Sequence, residues 1–103
     1  MGQVRMLNNL RKEKRVPIRL KLHLRAEDSR GRAISANITT VNVSKSGICF
    51  QSELPLPLQA GDSLKGELES PQFKTDFHLR VMWINGTLLG GRLESAPANW
   101  PIR

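Results

Sequence analysis

The chain has 103 residues and a mass of 11.6 kDa, the size of one domain. Its composition, with 39% hydrophobic and 24% charged residues, is ordinary for a soluble globular protein, and its longest aliphatic or aromatic run is Val81–Ile84, far short of the ~20 residues of a membrane helix. The net charge of +7 lies in residues 1–32, where ten Lys or Arg accompany three acidic residues. Two domains and a membrane span are excluded, and the charge indicates either an anionic partner or a solubilising tail.

Residues 1–16 are predicted to form a mobile basic arm, because they show no clean helical or strand periodicity. The first residues contain neither a signal peptide nor a myristoylation signal. The single cysteine, Cys49, cannot form an internal disulfide, which is typical of a reducing compartment. We therefore expect a cytoplasmic protein in which the arm precedes one domain, residues 17–103.

From Pro17 onward the pattern is that of antiparallel strands joined by short turns. Apolar and polar residues alternate strictly from Ile18 to Arg25, and the dipeptide Asn85-Gly86 predicts a two-residue hairpin. No convincing helix of ten residues is expected. The other predicted strands cover 33–43, 48–51, 64–69, 73–83 and 87–93. This pattern predicts an all-β fold, a small six-stranded antiparallel barrel, since closure removes the exposed edges that an open sheet leaves.

The alternation of the fifth strand places three aromatic residues on its core side. These are Phe73, Phe77 and Trp83, and we expect them to pack in the interior. The pair Gly90-Gly91 lies within the last strand, where glycine marks a bulge or a close approach.

The ionisable residues that could serve catalysis are too few and too scattered for an active site. His23 and His78 fall on polar phases of strands, Cys49 falls in mid-strand, and no spacing joins them into a triad or a metal site. The chain also has no Gly-rich phosphate loop. We therefore predict that the protein is not an enzyme and that it carries no metal and no cofactor.

Two segments carry groups that suit a nucleotide. Arg11 and Arg15 present planar guanidinium groups that fit phosphate oxygens and the O6/N7 edge of guanine. Asn42 offers an amide to a base edge, Ser44 offers a hydroxyl, and Gly47 permits a positive φ or close approach by a ligand. Each segment alone has an ordinary alternative: an RxxxR match is nearly expected with so many arginines, and the second segment can be a simple polar turn.

Together and in this order, the two segments resemble the PilZ domain, whose signature is RxxxR followed by [DN]xSxxG. The family enters its first strand directly after the second arginine, which selects the pair Arg11 and Arg15 over the pair Arg15 and Arg19. Residues 79–83 and 90–93 are similar to the last two strands of the family. The resemblance therefore covers nearly the whole chain.

The resemblance implies a receptor for cyclic di-GMP, a bacterial second messenger, that passes the signal to a downstream protein without chemistry. In the family the arm is mobile when empty and wraps over the ligand. Carried over, Arg11 and Arg15 contact guanine and phosphate, while Asn42, Ser44 and Gly47 hold a guanine against the barrel.

Further ligand contacts are expected at Leu10, Lys12 and Gly90. The chain departs from the family at two positions. Asn42 stands where the family often has aspartate, and its single acceptor oxygen cannot match a carboxylate across the two donors of guanine. Leu10 stands where many members have arginine, which favours one ligand molecule per chain over a stacked pair.

Two other functions stay open from the sequence. A PilZ-like adaptor would bind a protein and need no nucleotide. A general nucleic-acid-binding barrel would suit the basic arm, but it requires aromatic platforms on one face, so nucleic acid is not expected as the partner. The family resemblance implies control of motility, biofilm polysaccharide or adhesion, and the sequence does not choose among them.

Overall fold

The structure, a computed structural model, describes residues 14–95, Pro97 and Trp100. Its strands are β1 (Lys21–Asp28), β2 (Ala33–Ser44), β3 (Gly47–Ser52), β4 (Ser63–Ser70), β5 (Phe73–Asn85) and β6 (Leu88–Leu93). They form a closed barrel in the order β1-β2-β3-β6-β5-β4, and each neighbouring pair is antiparallel. The predicted all-β six-stranded barrel is therefore confirmed. The described residues form no helix that could cross a membrane.

Alternating side chains build the core of the barrel. On β1, Leu22, Leu24 and Ala26 are buried and Arg25 is exposed, as expected for a strand with one apolar face. The predicted first strand began too early, because β1 begins at Lys21. The hydroxyl of Thr40 donates to the Ile18 carbonyl and accepts from the Leu20 amide at 2.7 Å, and these side-chain bonds hold the preceding segment to β2.

Glycine and aspartate shape two of the turns. Asn85 pairs with Leu88, so the loop of the last hairpin is Gly86-Thr87, one residue later than predicted, with Gly86 at a φ of 63° that favours glycine. Between β1 and β2, the Asp28 carboxylate accepts bonds from the backbone amides of Arg30 and Arg32, each at 2.9 Å. The hydrogen bond from the Arg32 backbone amide is the main cause that lowers the pKa of Asp28. Desolvation of the carboxylate raises this pKa, while the Arg32 side chain and the Arg30 amide lower it further.

Two bulges interrupt the alternation on one side of the barrel. The β2–β3 register shifts between Thr40 and Asn42, and the β5–β6 register shifts between Val81 and Trp83. Each bulge inserts one residue, which reverses the side of the sheet that the following residues face. The first bulge turns Asn42 outward and Val43, which is 2% exposed, inward.

The second bulge places Trp83 on the outer surface of the barrel. Trp83 is 43% exposed, so its predicted place in the core is wrong, because the inserted Met82 shifts the strand by one residue. The other two aromatic predictions are confirmed: Phe77 is buried, and Phe73 packs against the core while partly exposed.

The second tryptophan, Trp100, closes the core at the motif-bearing end of β2. It is 3% exposed, and its indole Nε1–H donates to the backbone carbonyl of Ser44 at 2.7 Å. The Leu93 amide bonds the Ser46 carbonyl at 2.7 Å. The β2–β3 turn is therefore held by residues distant in sequence.

Candidate functional site

Two rows of positions on the outer side of the sheet lie side by side across the bulged side of the barrel, although Ser44, at 8% exposed, and Gly90 are buried there. The pairings Asn42↔Cys49, Cys49↔Gly90 and Gly90↔Trp83 form the first row, and Ser44↔Gly47 and Gly47↔Arg92 form the second. Neighbouring strands lie about 4.8 Å apart, so the first row is roughly 15 Å long. These seven residues are called the binding face below: Asn42, Ser44, Gly47, Cys49, Trp83, Gly90 and Arg92.

The bulges bring the two ends of the first row to the outer surface. Half-buried Asn42 stands at one end and the indole of Trp83 at the other. Without the two inserted residues, both side chains would face the core. An amide that can bond a base edge and an aromatic ring that can stack on a base therefore share one surface.

The base of the arm is fixed beside the binding face. The Val16 amide donates to the Val43 carbonyl at 2.8 Å, and the Val43 amide donates to the Val16 carbonyl at 2.9 Å. These bonds hold Arg15, which is exposed, next to the β2 segment that carries Asn42 and Ser44. Of the residues predicted on the arm, Arg15 is within the described structure; Leu10, Arg11 and Lys12 lie outside the described residues.

Burial and the charge of Arg15 have opposite effects on the pKa of the Cys49 thiol. Cys49 is 8% exposed, and burial raises the pKa of its thiol, while the positive charge of Arg15 lowers it to a smaller extent. The thiol therefore stays protonated at neutral pH. In the first row Cys49 provides a small neutral surface between Asn42 and Gly90.

Gly47 is required by the packing of two strands. Among the described glycines, a positive φ is found at Gly31, Gly61 and Gly86, so the positive φ considered for Gly47 is wrong. A Cβ at Gly47 would lie 2.9 Å from the backbone carbonyl oxygen of Gly91. The absent side chain therefore makes room for β6 and keeps the second row flat, while close approach by a ligand at Gly47 stays a prediction.

The indole of Trp83 packs against the backbone at Gly90. A Cβ at Gly90 would lie 2.1 Å from Nε1 and 2.3 Å from Cε2 of Trp83, so the ring rests on the bare backbone of β6. The expected close approach at this glycine pair is confirmed. The exposed position of Trp83 was not predicted, because strict alternation assigns this residue to the core. The sequence signal that could have found it is the glycine that faces it across the strands.

The two histidines lie away from the binding face. His23 Nδ1 bonds Oδ1 of Asn37 at 2.9 Å, and its Nε2 bonds Oγ of Ser35 at 3.0 Å, on the outer side of β1 and β2. His78 pairs with Lys65 across β4 and β5. Within the described part of the chain, no group of three His, Cys, Asp or Glu side chains is placed to hold a metal ion.

Comparison with known proteins adds one finding to this geometry. The model of the PilZ domain matches residues 9–98 of the chain. This range includes both arginines of the RxxxR segment and all seven residues of the binding face. No curated protein matches the chain.

Proposed function

The chain belongs to the PilZ domain family, and we propose that the protein binds cyclic di-GMP on its binding face and relays the signal to a protein partner. Members of this family are binding or receptor domains that generally recognise cyclic di-GMP. The observation that carries the proposal is the shared row of Asn42 and Trp83. Both are brought to the outer wall by a bulge, beside the fixed base of the arm. Since the ligand is a bacterial second messenger, we place the protein in the bacterial cytoplasm.

Each group of the binding face has a role that follows from its chemistry. The Asn42 amide oxygen accepts a hydrogen bond from the Watson–Crick edge of a guanine. The exposed indole of Trp83 offers a face on which a base stacks, a contact typically worth about 1–3 kcal/mol. Gly47, which lacks a side chain, leaves room for a base at the polar turn, whereas the space above Gly90 is filled by the Trp83 indole.

The arm closes the site from the outside. Arg15 and Arg11 carry guanidinium groups that bind phosphate oxygens or guanine in a bidentate manner. Ordering the arm costs about 1–2 kcal/mol per residue, so the arginine contacts must offset several kcal/mol before net affinity results. We infer that arm ordering on ligand binding is the signal that a partner reads.

The structure favours a dinucleotide over a long nucleic acid. A single-stranded nucleic acid binds to a series of aromatic platforms. Among the described residues, Trp83 is the one aromatic side chain that is strongly exposed. One ring beside a short row of polar groups suits one or two bases.

The proposal is tested by isothermal titration of cyclic di-GMP into the purified chain, with GTP and cyclic AMP as control ligands. We expect saturable binding, one ligand per chain, that the control ligands do not reproduce. Arg15→Ala should lose at least about 2 kcal/mol of binding free energy, roughly thirtyfold in Kd. Arg19→Ala is the matched control, because Arg19 is also exposed and belongs to the competing RxxxR match.

Three outcomes separate the possible functions. Binding lost in Arg15→Ala and kept in Arg19→Ala supports the receptor. Equal loss in both variants contradicts a specific role for Arg15 and points to unspecific charge attraction. No binding by the unaltered chain at hundreds of micromolar ligand rules out the receptor and leaves the protein-binding adaptor.

A further inference from the structure

Two arginines stand directly opposite each other at the edge of the binding face. Arg92 on β6 pairs with Arg80 on β5, and both side chains are exposed. Residues opposite each other in an antiparallel pair have Cβ atoms about 5 Å apart, and like charges at such positions are destabilising. The arrangement therefore needs a compensating negative charge.

The described residues supply that charge to only one of the two arginines. Nε of Arg80 bonds Oε1 of Glu94 at 2.9 Å. Within residues 14–95, no carboxylate forms an ion pair with Arg92. Among the described residues, the Arg92 guanidinium thus has no carboxylate in an ion pair with it, and it stands next to a like charge.

Arg92 lies near other residues of the binding face. Arg92 pairs with Gly47, which pairs with Ser44 on the next strand, so Arg92 and Ser44 share one row with a glycine between them, about 10 Å apart across two strand spacings. Along β6, Gly90 lies two residues before Arg92 and faces the same side, about 7 Å away. Arg92 therefore flanks both the polar turn and the indole of Trp83.

We propose that Arg92 is a ligand-contacting residue that binds a phosphate group of cyclic di-GMP from the barrel wall. This inference rests on the proposed function of the binding face. A guanidinium binds phosphate in a bidentate manner, and the phosphate provides the negative charge that the Arg80 and Arg92 pair lacks. Because Arg92 belongs to a strand, its backbone is already ordered, so its contact carries none of the ordering cost of the arm.

The test compares Arg92→Ala and Arg92→Lys with the matched control Arg80→Ala. Isothermal titration of cyclic di-GMP measures affinity, and thermal unfolding without ligand checks the fold. Arg92→Ala is expected to raise Kd about tenfold or more. Arg92→Lys should raise it less, since lysine keeps the charge and loses the planar fork. Arg80→Ala should change Kd less than about twofold, because it removes a surface ion pair.

Thermal unfolding without ligand should show Arg92→Ala to be at least as stable as the unaltered chain, since it removes a like-charge pair. Should Arg92→Ala fail to fold, the comparison of Arg92→Lys with Arg80→Ala decides in its place.

The measured Kd values distinguish failure of the proposed role of Arg92 from failure of the receptor function. Equal Kd values for Arg92→Ala, Arg80→Ala and the unaltered chain overturn the role of Arg92 and leave the receptor intact. An equal increase in Kd in both alanine variants also overturns it, since a general field effect would then explain the loss. No binding by the unaltered chain overturns both the receptor and the role of Arg92.

Discussion

The two sides of the barrel differ in how regularly their strands pair. Around β1 and β4 the registers run without interruption through three strand pairs. Around β3 the register shifts on the β2 side, and it shifts again where β6 meets β5. The residues proposed to bind the ligand lie on the second side. Bulges are concentrated near functional sites because they redirect individual side chains, and this barrel uses one at each end of a single row.

Ion pairs occur on both sides of the barrel, and on the bulged side Arg80 bonds Glu94 at 2.9 Å. On the regular side, Arg25 pairs with Glu69 at 3.6 Å and Lys74 pairs with Glu67 at 3.4 Å. On the bulged side, the exposed groups of the binding face include Trp83 and Arg92. We expect the regular side to contribute mainly stability, and recognition of the proposed ligand to depend on the bulged side.

The largest expected effect is the loss of stability in Gly66→Ala on the regular side. A Cβ at Gly66 would lie 2.1 Å from the Arg25 carbonyl oxygen and 2.5 Å from the Ala26 Cα, so β1 and β4 would have to separate. We expect a loss of about 3 kcal/mol in the free energy of unfolding, measured by urea denaturation. Glu67→Ala on the same strand is the control and should lose less than about 1 kcal/mol. Similar midpoints for the two variants would show that the strand contact is not rigid.

A smaller loss is expected when the buried hydrogen bond of the bulged side is removed. Trp100→Phe keeps an aromatic ring in the core but leaves the Ser44 carbonyl without the indole donor, which should cost about 1–2 kcal/mol in the free energy of unfolding. Trp83→Phe is the matched control, and we expect a change below about 0.5 kcal/mol because Trp83 is at the surface. Urea denaturation followed by circular dichroism measures both. The reverse order of the two effects would contradict the burial of Trp100.

Gly90→Ala should displace the Trp83 indole and change the free energy of unfolding only slightly. Its Cβ would meet the far end of the Trp83 indole, which can swing outward, so we expect a loss below about 1 kcal/mol. In a Trp100→Phe background, Trp83 fluorescence should shift to the red as the ring enters water, and affinity for cyclic di-GMP should fall.

Gly91→Ala is the control for this prediction, because a Cβ there would meet the buried Leu79 side chain. It should lower stability and leave the emission of Trp83 unchanged. An unshifted emission in Gly90→Ala would mean that the indole does not rest on Gly90.

The smallest effect is expected for the pH dependence of stability that Asp28 causes on the regular side. Hydrogen bonds from the Arg32 and Arg30 amides and from the Arg32 side chain hold the pKa of Asp28 below its ordinary value of 3.8. A lowered pKa means that the charged carboxylate stabilises the fold above the unfolded pKa, and that this contribution is lost as the pH falls through the folded pKa. The stability difference between the unaltered chain and Asp28→Asn should therefore be constant from pH 7 to about 5 and shrink below about 4. Thermal unfolding at pH 7 and pH 3 measures it, and a difference independent of pH would contradict the assignment.

Much of the fold was predictable because strand alternation is a local property. The outward position of Arg25 and the inward position of Leu24 follow from a period of two residues, and they agree with the structure. The order of the two signature segments likewise predicted the family, which the match over residues 9–98 confirms. The roles of Arg15, Asn42 and Ser44 stay predictions until binding is measured.

The position of Trp83 could not be predicted from its own strand. One inserted residue reverses every side chain after it, and whether Met82 is inserted depends on the register that β6 imposes on β5. The tie between Trp100 and Ser44 spans 56 residues, and Gly47 is needed because β6 passes beside it. None of these contacts has a local pattern.

The number of strands, the apolar face of the regular strands and the family of the domain were predictable, since they depend on local periodicity and on short spacings. Four residues of the binding face, Asn42, Ser44, Gly47 and Gly90, were also predicted as ligand contacts from the sequence. The tertiary structure adds Cys49, Trp83 and Arg92 to them. Asn42 and Trp83 lie at the two ends of one row, with Arg92 beside it, because two bulges in strands that are distant in sequence set the register of the closed barrel.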